Sequence, residues 1–177
     1  MWGYLICVKC SKRGSDKASI FIKNLLYQNI NILYEDNHII VVVKPYNVLS
    51  QGDSTGDVSI MDMIKDYIKV KYNKPGNVYL GLVHRLDRPV GGIMVFARSS
   101  KAASRLCKAF NEHRITKKYL AIVKGKVDAF GEYVDYLAKD KDGKAYVSKD
   151  GKKAVLNYEL VEYNKENAFL RMSCIVP

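Results

Sequence analysis

His84–Gly92 reads HRLDRPVGG and is the densest polar cluster in the chain. One apolar run of strand length, Val78–Val83, leads into it, and another, Ile93–Ala97, leaves it. Pro89 fixes one backbone angle and the Gly91-Gly92 pair frees the next two positions, so the segment must turn sharply between two strands. Loops held in this way often carry function. Asp87 lies between Arg85 and Arg88, and nearby cations favour its ionised form. An ionised carboxylate can act as nucleophile, base or electrostatic stabiliser. The flanking arginines can grip phosphates through paired hydrogen bonds. The alternative is an ordinary charged turn with internal salt bridges.

Working outward, Asn31–Tyr34 is a short strand candidate and Glu35-Asp36-Asn37 supplies turn chemistry. His38–Val43 reads as a buried strand, ended by Lys44-Pro45 because proline cannot donate to a ladder. Val58–Tyr72 is helical by pattern, with Ile60, Met63, Ile64, Tyr67 and Ile68 on one face. Ser59 and Asp62 resemble a capping box, and Asn73-Lys-Pro-Gly76 breaks the helix. After the loop, Ser99 or Ser100 caps a second helix reaching about Glu112. Lys118–Val127, Ala154–Glu162 and Ala168–Val176 read as strands. Tyr133–Tyr163 is hairpin-like, with Asp142-Gly143 and Asp150-Gly151 suited to type I′ turns. Strands joined mostly by hairpins, with a few helices between, give an α+β fold with a mixed, largely antiparallel sheet and flanking helices.

The net charge of +11 favours a polyanionic partner, because each neutralised phosphate releases counterions. A lysine-rich solvated surface is the plainer account. Cys7 and Cys10 form one C-x-x-C without a second ligand pair, and the histidines are scattered. No metal is expected, and the cysteines read as reduced and structural. The longest misleading apolar run, Ile39–Val43, is too short to span a bilayer. The N-terminus lacks the basic start and small-residue cleavage site of a signal peptide, so a cytoplasmic protein is expected. Residues 1–30 lack clear alternation and contain a helix-like patch at Ile20–Tyr27. They read as an extension ahead of a catalytic domain over 31–177.

HRLDRPVGG resembles the HRLD-R-x-x-S/G signature of the RluA-type RNA pseudouridine synthases. Val42-Val43-Lys44-Pro45 with Leu49-Ser50-Gln51 is similar to that family's strand–KP–loop motif. Gly92–Ala97 is similar to the strand after its catalytic loop, and Lys117–Gly125 to its K-x-Y-x-A-x-V-x-G strand. The order and spacing match from about Asn31 to Pro177. The resemblance implies the pseudouridine synthase fold and isomerisation of uridine to pseudouridine in ribosomal or transfer RNA, without cofactor or metal. Asp87 would be the catalytic aspartate, attacking the sugar carbon or removing a ribose proton. Arg85 would help flip the uridine, and Tyr119 would stack on the flipped uracil. Arg88, His84, Lys44 and Lys118 are carried as RNA-binding candidates, and a monomer is expected. Four of the site residues have a plainer alternative: Tyr119 as cross-strand packing, His84 as a loop-positioning hydrogen bonder, Lys44 as a solvated surface lysine, Arg88 as a loop stabiliser.

Two departures stand out. Pro-Val-Gly-Gly replaces the Thr-Ser-Gly ending of many relatives, which removes two hydroxyls after Arg88. The family's T-G-R-x-H-Q-I-R segment would begin where the sequence reaches Ile175-Val176-Pro177. The expectation is therefore a partial catalytic domain with an unfilled sheet edge, and no S4-type RNA-binding domain ahead of it. The competing reading is a catalytically impaired RNA-binding fragment of the same fold. A hydrolytic glycosidase is a distant third, since no second carboxylate is marked in the loop.

Overall fold

The structure is a computed structural model that describes residues 30–141 and 143–175. The Ile20–Tyr27 patch, the C-x-x-C and the turn residue Asp142 lie outside the described residues. The chain divides into two compact units, one ending at Arg114 and the other beginning at Ile115.

In the first unit, β1 (Asn31–Glu35), β2 (Ile39–Lys44), β3 (Gly81–Leu82) and β4 (Gly92–Ala97) form an antiparallel sheet in the order β1-β2-β4-β3. Ile40, Val42, Met94 and Phe96 are fully buried, as a period of two requires. α1 (Ile60–Lys71) buries Ile60, Met63, Ile64 and Ile68, the spacing of one helical face. Its start has the expected capping box: the Ser59 hydroxyl accepts from the Asp62 N–H, and the Asp62 carboxylate accepts from the Ser59 N–H. Ser59 is fully buried. Ser59→Ala should therefore cost about 1 kcal/mol in urea denaturation. The Ile60 N–H also donates to the Leu49 carbonyl at 2.8 Å, tying the loop after β2 to the helix start. α2 (Ser100–Asn111) is capped by Ser99, whose hydroxyl accepts from the Ala102 N–H. It buries no residue fully and lies against β3 and β4. Gly81 permits that approach, since a Cβ there would stand 3.0 Å from the Ala103 Cβ.

The second unit holds β5 (Lys118–Lys124), β6 (Phe130–Lys139), β7 (Ala145–Val147), β8 (Lys152–Tyr163) and β9 (Asn167–Ile175). They form an antiparallel sheet in the order β5-β9-β8-β6-β7. Every named strand pairing in both units is antiparallel, and the one parallel bridge among the described residues joins Leu49 to Ser59. The α+β class and largely antiparallel pairing are as expected.

The turn expected at Asp150-Gly151 is corrected. A type I′ turn needs positive φ at both central residues, and neither Asp150 nor Gly151 has it. The segment is not a hairpin turn at all, because β7 and β8 flank β6 on opposite sides. Val147 and Lys152 both pair with Leu137, so the chain crosses over that residue. Gly151 is required by the crossing, since a Cβ would meet Leu137 backbone at 2.6 Å.

Candidate active site

The loop between β3 and β4 is held by its middle. Leu86 is buried and is clasped through its backbone by Ser50, itself buried. The Leu86 N–H donates to the Ser50 hydroxyl at 3.0 Å, and that hydroxyl donates to the Leu86 carbonyl at 2.5 Å. With Leu86 turned inward, its two neighbours Arg85 and Asp87 are exposed. A turn follows, closed by the Val90 N–H on the Asp87 carbonyl at 2.9 Å. In the sequence Ser50 sits within the Leu49-Ser50-Gln51 motif with nothing local to mark its role. Ser50→Ala would leave both backbone groups of Leu86 without this partner. It should cost about 1–3 kcal/mol of stability by denaturant titration.

Arg85 makes no hydrogen bond or ion pair among the described residues, and the Asp87 carboxylate accepts no hydrogen bond among them. A solvent-facing carboxylate thus stands two residues from an unengaged guanidinium. Arg88 is differently placed. Its Nε donates to Asn47 Oδ1 at 3.2 Å, and its guanidinium pairs with Asp57 at 2.8 Å. Both ends of that pair are substantially exposed, so it steers the side chain more than it stabilises the fold.

His84 sits at the root of the loop. Its Nε2 accepts from the Val95 N–H at 3.0 Å, which places the neutral ring's proton on Nδ1. The ring stacks on Phe110 of α2 with centroids 5.0 Å apart. Both contacts fix the loop to the sheet and to α2.

Lys44 requires a correction. It was expected at the surface, solvated or touching RNA, but it is fully buried. β2 alternates in burial, and counting by twos from Ile40 and Val42 lands on Lys44. Its ammonium donates to the carbonyls of Val48 (2.5 Å), Pro45 (3.2 Å) and Arg88 (3.3 Å). Burial pulls its pKa down to about 8, and the Asp87 carboxylate opposes that fall. Gly91 leaves room for this arrangement, since a Cβ there would lie 3.4 Å from both the Lys44 carbonyl and the Tyr46 nitrogen.

Tyr119 and Lys118 belong to the second unit, on β5. Tyr119 pairs with Met172 and Lys118 with Ser173, so the two point to opposite faces of the sheet. Tyr119 is half-buried. Met172 pairs in turn with Tyr158, which stacks on Tyr133 at 5.8 Å. Lys118 lines a hollow of about 250 Å³ with Asn157, Glu159, Arg171 and Ser173 among its walls. Among the described residues there is no cluster of three or more His, Cys, Asp or Glu side chains able to hold a metal ion. No described helix is long and apolar enough to cross a membrane.

The sequence profile of the family described as RNA pseudouridylate synthase matches residues 38–175, which run through both units. Ribosomal large subunit pseudouridine synthase D of Borreliella burgdorferi is 36% identical over 140 residues, covering 75% of this chain and 43% of that protein. Ribosomal large subunit pseudouridine synthase C of Buchnera aphidicola is 28% identical, covering 97% of this chain and 52% of that protein. Among solved structures, human RNA Pseudouridylate Synthase Domain Containing 4 superposes with a TM-score of 0.71 at 24% identity, over 89% of this chain and 64% of that one. The chain belongs to the RNA pseudouridylate synthase family, in its RluA-type branch. It spans about half the length of the curated relatives it matches.

Proposed function

We propose that this protein isomerises uridine to pseudouridine within structured RNA, ribosomal or transfer. The observation that carries the reading is the exposed Asp87 carboxylate, held with the unengaged Arg85 on a loop whose backbone is fixed from beneath. The names of relatives point the same way, including a tRNA pseudouridine synthase C of Haemophilus ducreyi that is 34% identical over 113 residues. The reaction breaks the bond from uracil N1 to the ribose, turns the base, and joins C5 to the same sugar carbon. The C5 proton is lost and N1 ends with a proton, so no electrons are exchanged and no group is gained.

Asp87 acts on the sugar, by attack at carbon or by removal of a ribose proton. A paired base is out of its reach, so the uridine must leave the stack, at a cost of a few kcal/mol. Arg85 fills the vacated place. Tyr119 stacks on the extruded uracil, and base–aromatic stacking offsets about 1–3 kcal/mol of the cost. Arg88 and Lys118 offer cations to the RNA backbone, Arg88 by exchanging Asp57 for a phosphate. His84 serves the loop rather than the RNA. The protein acts as a monomer in the cytoplasm.

The test is tritium release from ribosomal and transfer RNA labelled at uridine C5, with the protein in excess over RNA. Release that stops at a fixed fraction of the uridines, with pseudouridine recovered in the digest, supports the reading. No release from either RNA class, by protein shown to be folded, sinks it.

A further inference from the structure

We infer that the β6–β7 end of the second sheet is a docking surface for unpaired RNA, with Tyr136 and Tyr146 as stacking rings and the surrounding lysines as phosphate contacts. The surface is separate from the proposed place of Tyr119. Tyr119 aligns through Met172 and Tyr158 with Gly131 on β6, and Tyr136, at a position of opposite parity on that strand, lies on the other face of the sheet. Directly paired residues share a face. Tyr136 pairs with Lys153, and Tyr146 pairs with Ala138, the next position on the Tyr136 face of β6. The two tyrosines are therefore diagonal neighbours on one face, about 7–8 Å apart at the backbone. Tyr136 is 47% exposed and Tyr146 50%. Among the described residues neither ring stacks on another or lies under a cation, and neither hydroxyl has a hydrogen-bond partner. A tyrosine kept for cross-strand packing would face a large apolar partner, but here the partners are a lysine and an alanine.

The same end of the sheet is basic. Positions 139–153 hold six lysines against three aspartates. Lys139, Lys141, Lys144, Lys149, Lys152 and Lys153 are all exposed, and none is in an ion pair among the described residues. Asp140 is occupied in the turn, where its carboxylate accepts from the Lys144 N–H at 2.8 Å. Unengaged cations around open aromatic faces match a single strand, whose bases are free to stack while its phosphates meet the lysines. A duplex keeps its bases stacked on one another and offers this surface backbone only.

The test measures fluorescence anisotropy of labelled oligo(C) RNA of about twelve nucleotides, a common footprint for single-strand binding, beside a blunt RNA duplex of the same length. Tyr136→Ala with Tyr146→Ala should weaken oligo(C) binding at least about tenfold and change duplex binding by less than about twofold. Glutamine at Lys141, Lys144, Lys149 and Lys153 should flatten the fall of log affinity with log salt, by about 0.7 for each lysine that meets a phosphate. Every substituted position is exposed, and thermal melts check that the variants stay folded. No oligo(C) binding by the wild type, or full affinity in the folded tyrosine variant, overturns the inference. Equal weakening of strand and duplex overturns it too, since the rings would then not be stacking on bases. An unchanged salt slope in the glutamine variant removes the phosphate contacts. Oligo(C) contains no uridine, so a wild type without tritium release fails the synthase reading and leaves this comparison standing.

Discussion

Asp87→Asn is expected to lower tritium release by at least about 10³-fold while leaving the protein folded and bound to RNA. The size follows from removing the group proposed to act on the reacting sugar, whether as base or as nucleophile. Its clean separation from folding follows from the structure. Asp87 is exposed, and its carboxylate accepts no hydrogen bond among the described residues. A substitution of this kind changes stability by roughly 0.5 kcal/mol or less. Asparagine also removes one negative charge from the loop proposed to meet RNA, so affinity should hold or tighten. Single-turnover kinetics beside filter binding would check both parts. Weakened binding together with lost turnover would mean that the carboxylate organises the RNA contact instead of the chemistry.

Glu35→Ala is expected to have the largest effect on stability, about 3 kcal/mol, or a fall in Tm on the order of 10 °C. The Glu35 side chain is 9% exposed and accepts from four donors. They are the Tyr67 and Tyr72 hydroxyls, the Lys71 ammonium and the Arg98 guanidinium, at 2.7–3.0 Å. Together they join the end of β1 to the last turns of α1 and the residue after β4. Arg98 lies over the Tyr72 ring as well, at 4.8 Å from its centre. Burial alone would push the Glu35 pKa up. The hydrogen bonds from Lys71, Tyr72 and Tyr67, with the charge of Lys71, outweigh it and hold the carboxyl below its ordinary 4.5. A pKa lowered by folding stabilises the protein at pH above the unfolded value, and the contribution is lost as pH falls through the folded value. Urea titrations at pH 7 and pH 3 should therefore show a smaller acid loss for Glu35→Gln than for the wild type. Equal losses would show that the Glu35 cluster does not govern acid stability.

The same residue shows how far the sequence could be read. From sequence Glu35 reads as turn chemistry, and its neighbour Asp36 does fill that role by accepting from the His38 and Ile39 N–H groups. Nothing local tells that Glu35 gathers donors from positions as distant as Arg98, because a cluster assembled by tertiary contacts has no sequence period. Elements with a strong period were legible: the burial alternation of β2, the four inward residues of α1, and the Ser59 cap. Asp150-Gly151 misled because its glycine answers to a crossing over Leu137 and not to backbone φ. In the site, HRLDRPVGG marked the loop but not its support. Ser50 is one small polar residue among many, and its pairing with Leu86 spans 36 positions. Lys44 was within reach of a count by twos, but the ordinary exposure of lysine outweighed the pattern.

The Ser50 clasp has a consequence for how the loop tolerates change. It grips the peptide groups of Leu86 and asks nothing of the side chains on either side. The shape of the loop is thereby separated from its chemical content. Positions 85 and 87 behave as interchangeable fittings on a fixed mount, and a collection of substitutions at both could be surveyed for altered reactivity without selecting afresh for a folded scaffold.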